Sequence, residues 1–413
     1  MIYRAGALAA MVVVLSAGSC SAAKFKAIYS FCVEQDCADG AGTPNDLFYD
    51  AAKDTLYGTT WGGGEFGKGT FYSLKRNKKG KWKHSVLFAF PCDTQCPGGY
   101  SPGAGLIRDK DGNFYSTSRL GAFGAPGGVF KLVRAGKSWT EVGLYDFCQQ
   151  PSCADGGSPE GLTYAGEAQG QPYDEVSPLY GVTAMGGGHG DGEVYSLTPN
   201  GDGWTFSVIY SFLDAGVPFG ALTMDANENL FGRTTGRNSK GAIFELSKKS
   251  GEWSVSYWHD LNGASDGEIA NRGFFLDSSG IVFGATRLGG DTEFESEGGG
   301  TIFELSGSTY QVVHDFCTTQ DCRDGMEPAG GLTPDANGNL LGVVDEGGDY
   351  AHGGVYRWNG SQSTLLYSFC KKSGCPDGNE PINEVTLDLS GNIYGVVAHN
   401  GINSEAGIFE LTP

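Results

Sequence analysis

Carboxylates crowd two short stretches of this chain. Asp291, Glu293, Glu295 and Glu297 form one, and Asp345, Glu346 and Asp349 the other. Ca²⁺ is the cofactor such stretches would take, because it wants roughly six to eight oxygen ligands. Asp291, Glu293, Glu295, Asp345 and Asp349 are the candidate metal ligands. Two such groups can instead act as acid and base on a glycosidic bond. The plainer alternative is a solvated loop in an already acidic protein.

Other side chains offer different chemistry. His352 follows Asp349 and Tyr350 closely, and His399 lies one repeat further on. His352, Tyr350 and His399 are the candidate proton-transfer residues, against the alternative of surface histidines on glycine-rich loops. Trp61, Phe66, Phe123 and Tyr350 have planar faces on which a sugar ring can stack, or they close gaps in the core. Arg119, Arg233 and Arg287 recur at similar places in the repeat. They can make forked bonds to a carboxylate or pair with the acidic stretches. Gly62 to Lys68 resembles a phosphate-binding loop, but Gly69 stands where Ser or Thr is needed and a strand pattern follows. No G-x-S-x-G or H-E-x-x-H is present.

The cysteines point to a compartment. After Cys20 they fall into close pairs: Cys32 with Cys37, Cys92 with Cys96, Cys148 with Cys153, Cys317 with Cys322, and Cys370 with Cys375. Zinc sites want other spacings. Five local disulfides in an exported protein fit better. The N-terminus agrees. Arg4, the apolar run 7–15 and the small residues around Ser21 to Ala23 predict a signal peptide over 1–23. Lipid attachment at Cys20 is the less favoured alternative, because Ala17 is a poor residue for that motif. A secreted or periplasmic monomer with no membrane span is expected. The net charge of −20 disfavours nucleic acid and anionic membranes as partners. A glycan or a surface protein remains open.

What must position these residues is a repeat. A turn-and-strand motif places Tyr57, Tyr115, Tyr180, Phe231, Phe283, Leu341 and Tyr394 at one register. A second motif places Tyr72, Phe130, Tyr195, Phe244, Phe303, Tyr356 and Phe409 at another. A third is a strand ending in Tyr-Ser-Phe or a variant, as at Tyr29 to Phe31 and Tyr367 to Phe369. Members of the first series stand 51 to 65 residues apart, near the length of a four-stranded propeller blade. Apolar residues alternate within the short runs, as half-buried strands require. With strands a to d assigned to each repeat, residues 24–413 begin on a d strand and end on a c strand. Pairing those two closes a ring. The prediction is an all-β, seven-bladed β-propeller over 24–413. Its d–a and b–c loops share one face, which carries most of the candidate residues.

Tyr57-Gly58-Thr59-Thr60, Gly62-Gly63-Gly64 and Gly69-Thr70-Phe71-Tyr72, repeated over Gly284 to Leu305 and Gly342 to Trp358, resemble the Gloeo/Verruco tandem repeat of exported bacterial proteins. That resemblance implies an extracytoplasmic protein and carries no assigned chemistry. Blade 3 departs from it by an insertion, Ala165 to Pro178, and Gly232 to Gly241 lacks the double glycine. The functional expectation is a binding module for a glycan or surface partner. The alternatives are a polysaccharide lyase or hydrolase, and a structural envelope protein.

Overall fold

The computed structural model describes residues 23–91, 98–121, 126–201, 203–214, 216–236, 240–263, 265–399 and 405–413. The expected leader, Cys20 and Phe123 lie outside them. So do Cys92 and Cys96, the pair expected to form the second disulfide.

Seven antiparallel sheets form a seven-bladed propeller. Blade 3 illustrates the plan: strands Gly157–Tyr164, Leu179–Met185, Glu193–Asn200 and Gly203–Ser211 run from the axis outward as a to d. Blade 7 takes Asn379–Leu387, Ile393–His399 and Gly407–Thr412 from one end of the sequence and Lys24–Ser30 from the other. Phe25 stands opposite Leu411 and Lys26 opposite Glu410, so the ring closes on its own terminal strand.

The three sequence motifs are one contact seen from three strands. The aromatic of strand c lies directly across from a glycine of strand b, as Tyr72 does from Gly58, except in blade 2, where Phe130 faces Ser116. A Cβ on Gly58, Gly181 or Gly342 would stand 2.3 to 2.5 Å from the hydroxyl of the tyrosine opposite. Glycine is therefore needed for close approach rather than for flexibility. The same aromatic meets the last Phe of the preceding blade: Phe31–Tyr72, Phe147–Tyr195 and Phe369–Phe409 have ring centroids 5.0 to 5.2 Å apart, edge-on. All six rings are buried. Burying each is worth about 1.5–3 kcal/mol, and the edge-on geometry adds roughly 0.5–1.5 kcal/mol.

Strand a differs from expectation. It starts earlier than the Gly-Leu run, because the Asp-Gly-x-x-Pro segments belong to it: Met326–Pro328 and Asn379–Leu387 are strand. The residue before the inner alanine or proline takes a left-handed conformation at Ser101, Ser158, Ile269, Glu327 and Glu380, with φ of 52° to 58°. Each such residue donates its N–H to the preceding blade, to Lys68, Pro126, Lys240, Gly299 and His352 in turn. This backbone bond between blades compensates an otherwise unfavourable φ.

Four of the five expected disulfides are formed: Cys32–Cys37, Cys148–Cys153, Cys317–Cys322 and Cys370–Cys375. The fifth, between Cys92 and Cys96, falls on residues outside the described ones. The Asp two residues beyond each formed pair caps its loop. Asp155 accepts from the Tyr145 hydroxyl at 2.9 Å and from the amides of Gln149 and Gln150. Asp39 does the same for Tyr29, Val33 and Glu34. These buried aspartates organise the loops that lead into the innermost strands. No helix among the described residues is long and apolar enough to cross a membrane.

Candidate functional site

The a strands of all seven blades surround a central cavity of about 610 Å³. Asparagines pin its wall. Asn45, Asn271 and Asn383 donate their side-chain amides to the carbonyls of Pro102, Pro328 and Pro44, each in the next blade. A second cavity of about 340 Å³ lies on the side of the a–b turns, and the two share Glu167 and Glu384.

Charged groups line this cavity. Arg233 and Arg287 come from b strands, Arg272 from a, and Asp46, Glu160, Glu167, Asp345 and Glu384 complete the set. Burial and the nearby Asp46 push Glu384 up to about 8. Glu384 is therefore largely a neutral acid at pH 7. Its amide donates to Asp46 at 3.0 Å, and Thr333 donates its hydroxyl to the Glu384 carboxyl at 3.2 Å. Burial raises Glu167 to about 7, partly offset by the hydroxyl that Thr163 donates to its carboxyl. It belongs to the blade 3 insertion, which docks on blade 2. Tyr173 is fully buried there and donates its amide to the Arg108 carbonyl. Lys131 holds Glu175 at 2.7 Å.

The arginines named from sequence converge on this cavity to different degrees. The Arg119 stem lies against Gly103 of the wall, and its guanidinium stands 3.8 Å from Glu160. Arg287 is held by Glu327 at 2.6 Å and Asp345 at 3.2 Å. Burial, partly offset by Arg287, pushes Asp345 up to about 6. Arg233 and Arg272 make no ion pair with any described residue. Burial, then repulsion from Arg272, lowers Arg233 to about 10.

The remaining candidates lie further out. Trp61 is 54% exposed and lies flat on Gly42, where a Cβ would come within 2.1 Å of its indole nitrogen. Phe66 and Tyr350 are also exposed. Asp291, Glu293 and Asp349 are exposed and Glu295 is half-buried. Asp291 accepts from the Glu293 amide within its own loop. No three carboxylates among the described residues approach within 4.8 Å of one another; His352 with Cys370 and Cys375 is the trio that does. Those two sulfurs are bonded to each other and are not thiolates. Glu380 links the two histidines: its amide donates to the His352 carbonyl, and its carboxylate lies 3.5 Å from His399.

Sequence reasoning missed Asp46, Glu160, Glu167, Arg272 and Glu384. For all but Glu167, which belongs to the insertion, the available signal was a charge one to three residues after the inner Pro or Ala of strand a.

The repeat geometry decides the kinship. The Gloeobacter/Verrucomicrobia repeat matches residues 18–235 and 167–409, which together hold every blade. The chain belongs to this repeat family. No curated protein matches the sequence. Solved structures resemble this member of the family in fold. An ulvan lyase of polysaccharide lyase family 25, bound to a GlcA–Rha3S glycan, has TM-score 0.55 and 11% identity, covering 92% of this chain and 94% of its own. A protein from Lactobacillus plantarum has TM-score 0.50 and 12% identity over 82% and 86%. A puromycin-hydrolysing peptidase from Mycobacterium tuberculosis has TM-score 0.52 and 10% identity over 93% of this chain; the repeat-family chain covers 54% of it. Identities this low speak for the propeller fold alone.

Proposed function

We propose that the protein is an exported binding propeller that holds a glycan or a surface partner at the loop-rich mouth of its channel, without turning it over. One observation carries this reading. A cavity of about 610 Å³ lies within the size range of small-ligand sites, and it gathers three fork-shaped donors from two neighbouring blades on one rigid ring. Trp61, open on the same face, supplies an apolar plane of the kind that sugar rings stack on. Disulfides near the blade junctions support a life outside the cytoplasm.

Ca²⁺ would act by ordering the loops of Asp291, Glu293, Glu295 and Asp349. Asp345 is already engaged by Arg287 and would have to leave it to join them. The test is retention of residues 24–413 on a panel of immobilised polysaccharides, with Ca²⁺ and with chelator. Specific, saturable retention with no new reducing or unsaturated ends is the expected result. Retention that survives chelation would remove Ca²⁺ from the proposal. Release of new ends would replace binding with catalysis. No retention on any member would overturn the glycan reading.

A further inference from the structure

We infer that the channel binds a carboxylate, and that Arg233 and Arg272 are the residues that take it. The inference deepens the proposed glycan site and rests on that reading for the sugar, though not for the acid group.

The contrast among four arginines carries the argument. Arg119 and Arg287 face acids and are engaged by them. Arg233 and Arg272 line the same cavity and have no ion pair among the described residues. The Arg233 Nε is buried and finds no hydrogen-bond partner. Glu160, the acid whose charge favours Arg233, lies beside Arg119 instead. Asp46 feels the charge of Arg272 but makes no ion pair with it. Arg272 packs its stem against Gly220 of blade 4, where a Cβ would meet it at 3.2 Å, and Gly220 directly follows Phe219, the strand partner of Arg233. A buried guanidinium is thus held near a second, more open one, and neither has a bonded counter-charge. That arrangement costs stability unless an anion completes it. Phe219 backs Arg233, with its ring centre 5.7 Å from the guanidinium carbon. The ring closes off one side of the guanidinium, and an anion would meet its N–H donors from the cavity.

The rest of the molecule limits what carries that anion. A net charge of −20 repels a long polyanion, whereas a short acidic saccharide reaches a local cation pair once salt screens the field beyond about 8 Å. The cavity volume admits a few sugar units. The partner is therefore a small carboxylated saccharide, one uronate acid group meeting the two guanidinium forks.

Calorimetric titration of residues 24–413 with digalacturonate, its dimethyl ester and citrate tests this. Digalacturonate should bind at least tenfold more tightly than its ester. Arg233→Gln and Arg272→Gln should each lose at least tenfold for the acid and nothing for the ester, while Arg134→Gln on the outer part of blade 2 should change neither. Arg233→Gln should also melt no lower than the wild type, because an unpaired cation has been removed; a structural arginine would give a lower melting point. Equal binding of acid and ester overturns the inference and leaves the glycan reading standing. Arg233-dependent binding of citrate with no saccharide bound upholds the inference and overturns the glycan reading. A wild type that binds none of the three overturns both.

Discussion

Asp155→Ala should be among the most damaging single changes to the loop face, and the structure gives its size. The carboxylate is fully buried and accepts three hydrogen bonds, from the Tyr145 hydroxyl at 2.9 Å and from the amides of Gln149 and Gln150 at 2.9 and 3.0 Å. The glutamines are exposed, so their amides regain water when the acceptor is lost. Tyr145 cannot follow as easily, because its ring stacks on Phe206 at 4.4 Å. One stranded hydroxyl and two weakened amides together predict a loss of about 3–4 kcal/mol, given roughly 1.5–3 kcal/mol for a bond to a charged acceptor. Asp324 is the internal control. It occupies the same place after its cysteine pair but is only half-buried, and it caps Thr318 and Thr319 at the rim. Asp324→Ala should cost about 1 kcal/mol, because its donors turn to water. Urea unfolding followed by tryptophan fluorescence measures both, with a thiol count confirming that the disulfides stay closed. If the two variants unfold within experimental error of each other, burial of the cap is not what fixes these loops.

Three further outcomes follow from named contacts. Glu384 has its folded pKa raised from 4.5 to about 8, so its contribution to stability is full below about pH 4.5 and is lost as pH rises through 8. Glu384→Gln should flatten that decline in a melting-temperature profile from pH 4 to 9; an unchanged slope would contradict the burial argument. Gly342→Ala should destabilise by about 1–3 kcal/mol through overpacking against Tyr356, and Tyr356→Phe in the same chain should recover part of it, which a double-mutant cycle in urea reads directly. Gly42→Ala must displace the Trp61 indole, since φ is +71° there and the new Cβ would meet the ring. A shifted tryptophan emission and weaker polysaccharide retention are expected, and no change in either would remove Trp61 from the site.

Much of the architecture was legible because the repeat writes one packing event in every blade, with Ser116 in place of the glycine in blade 2 and Leu261 in place of the Phe in blade 4. The aromatic of strand c, the residue opposite it in strand b and the residue closing strand d are apart in sequence but recur in the same order in each repeat, so their register could be read without knowing that they touch. Ring closure was legible for the same reason: Lys24–Ser30 matches a d strand and Gly407–Thr412 a c strand. Arg119 and Arg287 were found because they stand at one offset from the strand b marker, and Arg233 because it lies two residues earlier in its own blade. The channel was not legible. Asp46, Arg272 and Glu384 belong to the inner half of strand a, where the backbone turns left-handed or breaks between short pieces such as Tyr100–Pro102 and Ile107–Arg108. Alternation fails there, and these segments read as loops. Glu167 was hidden differently, in an insertion whose place is set by Tyr173 burying itself against blade 2. The acidic loops were conspicuous in sequence only because charge is easy to see; in space Asp345 is engaged by Arg287, and Asp291 caps its own loop.

If the channel mouth is where this protein meets its partner, a crystal structure of residues 24–413 soaked with a saccharide that the protein retains will show it. Sugar density is expected among the innermost strands, with its acid group at Arg233 and Arg272. Density confined to the outer d strands or to the face of the a–b turns, with the channel occupied by water alone, would refute a binding site at the mouth.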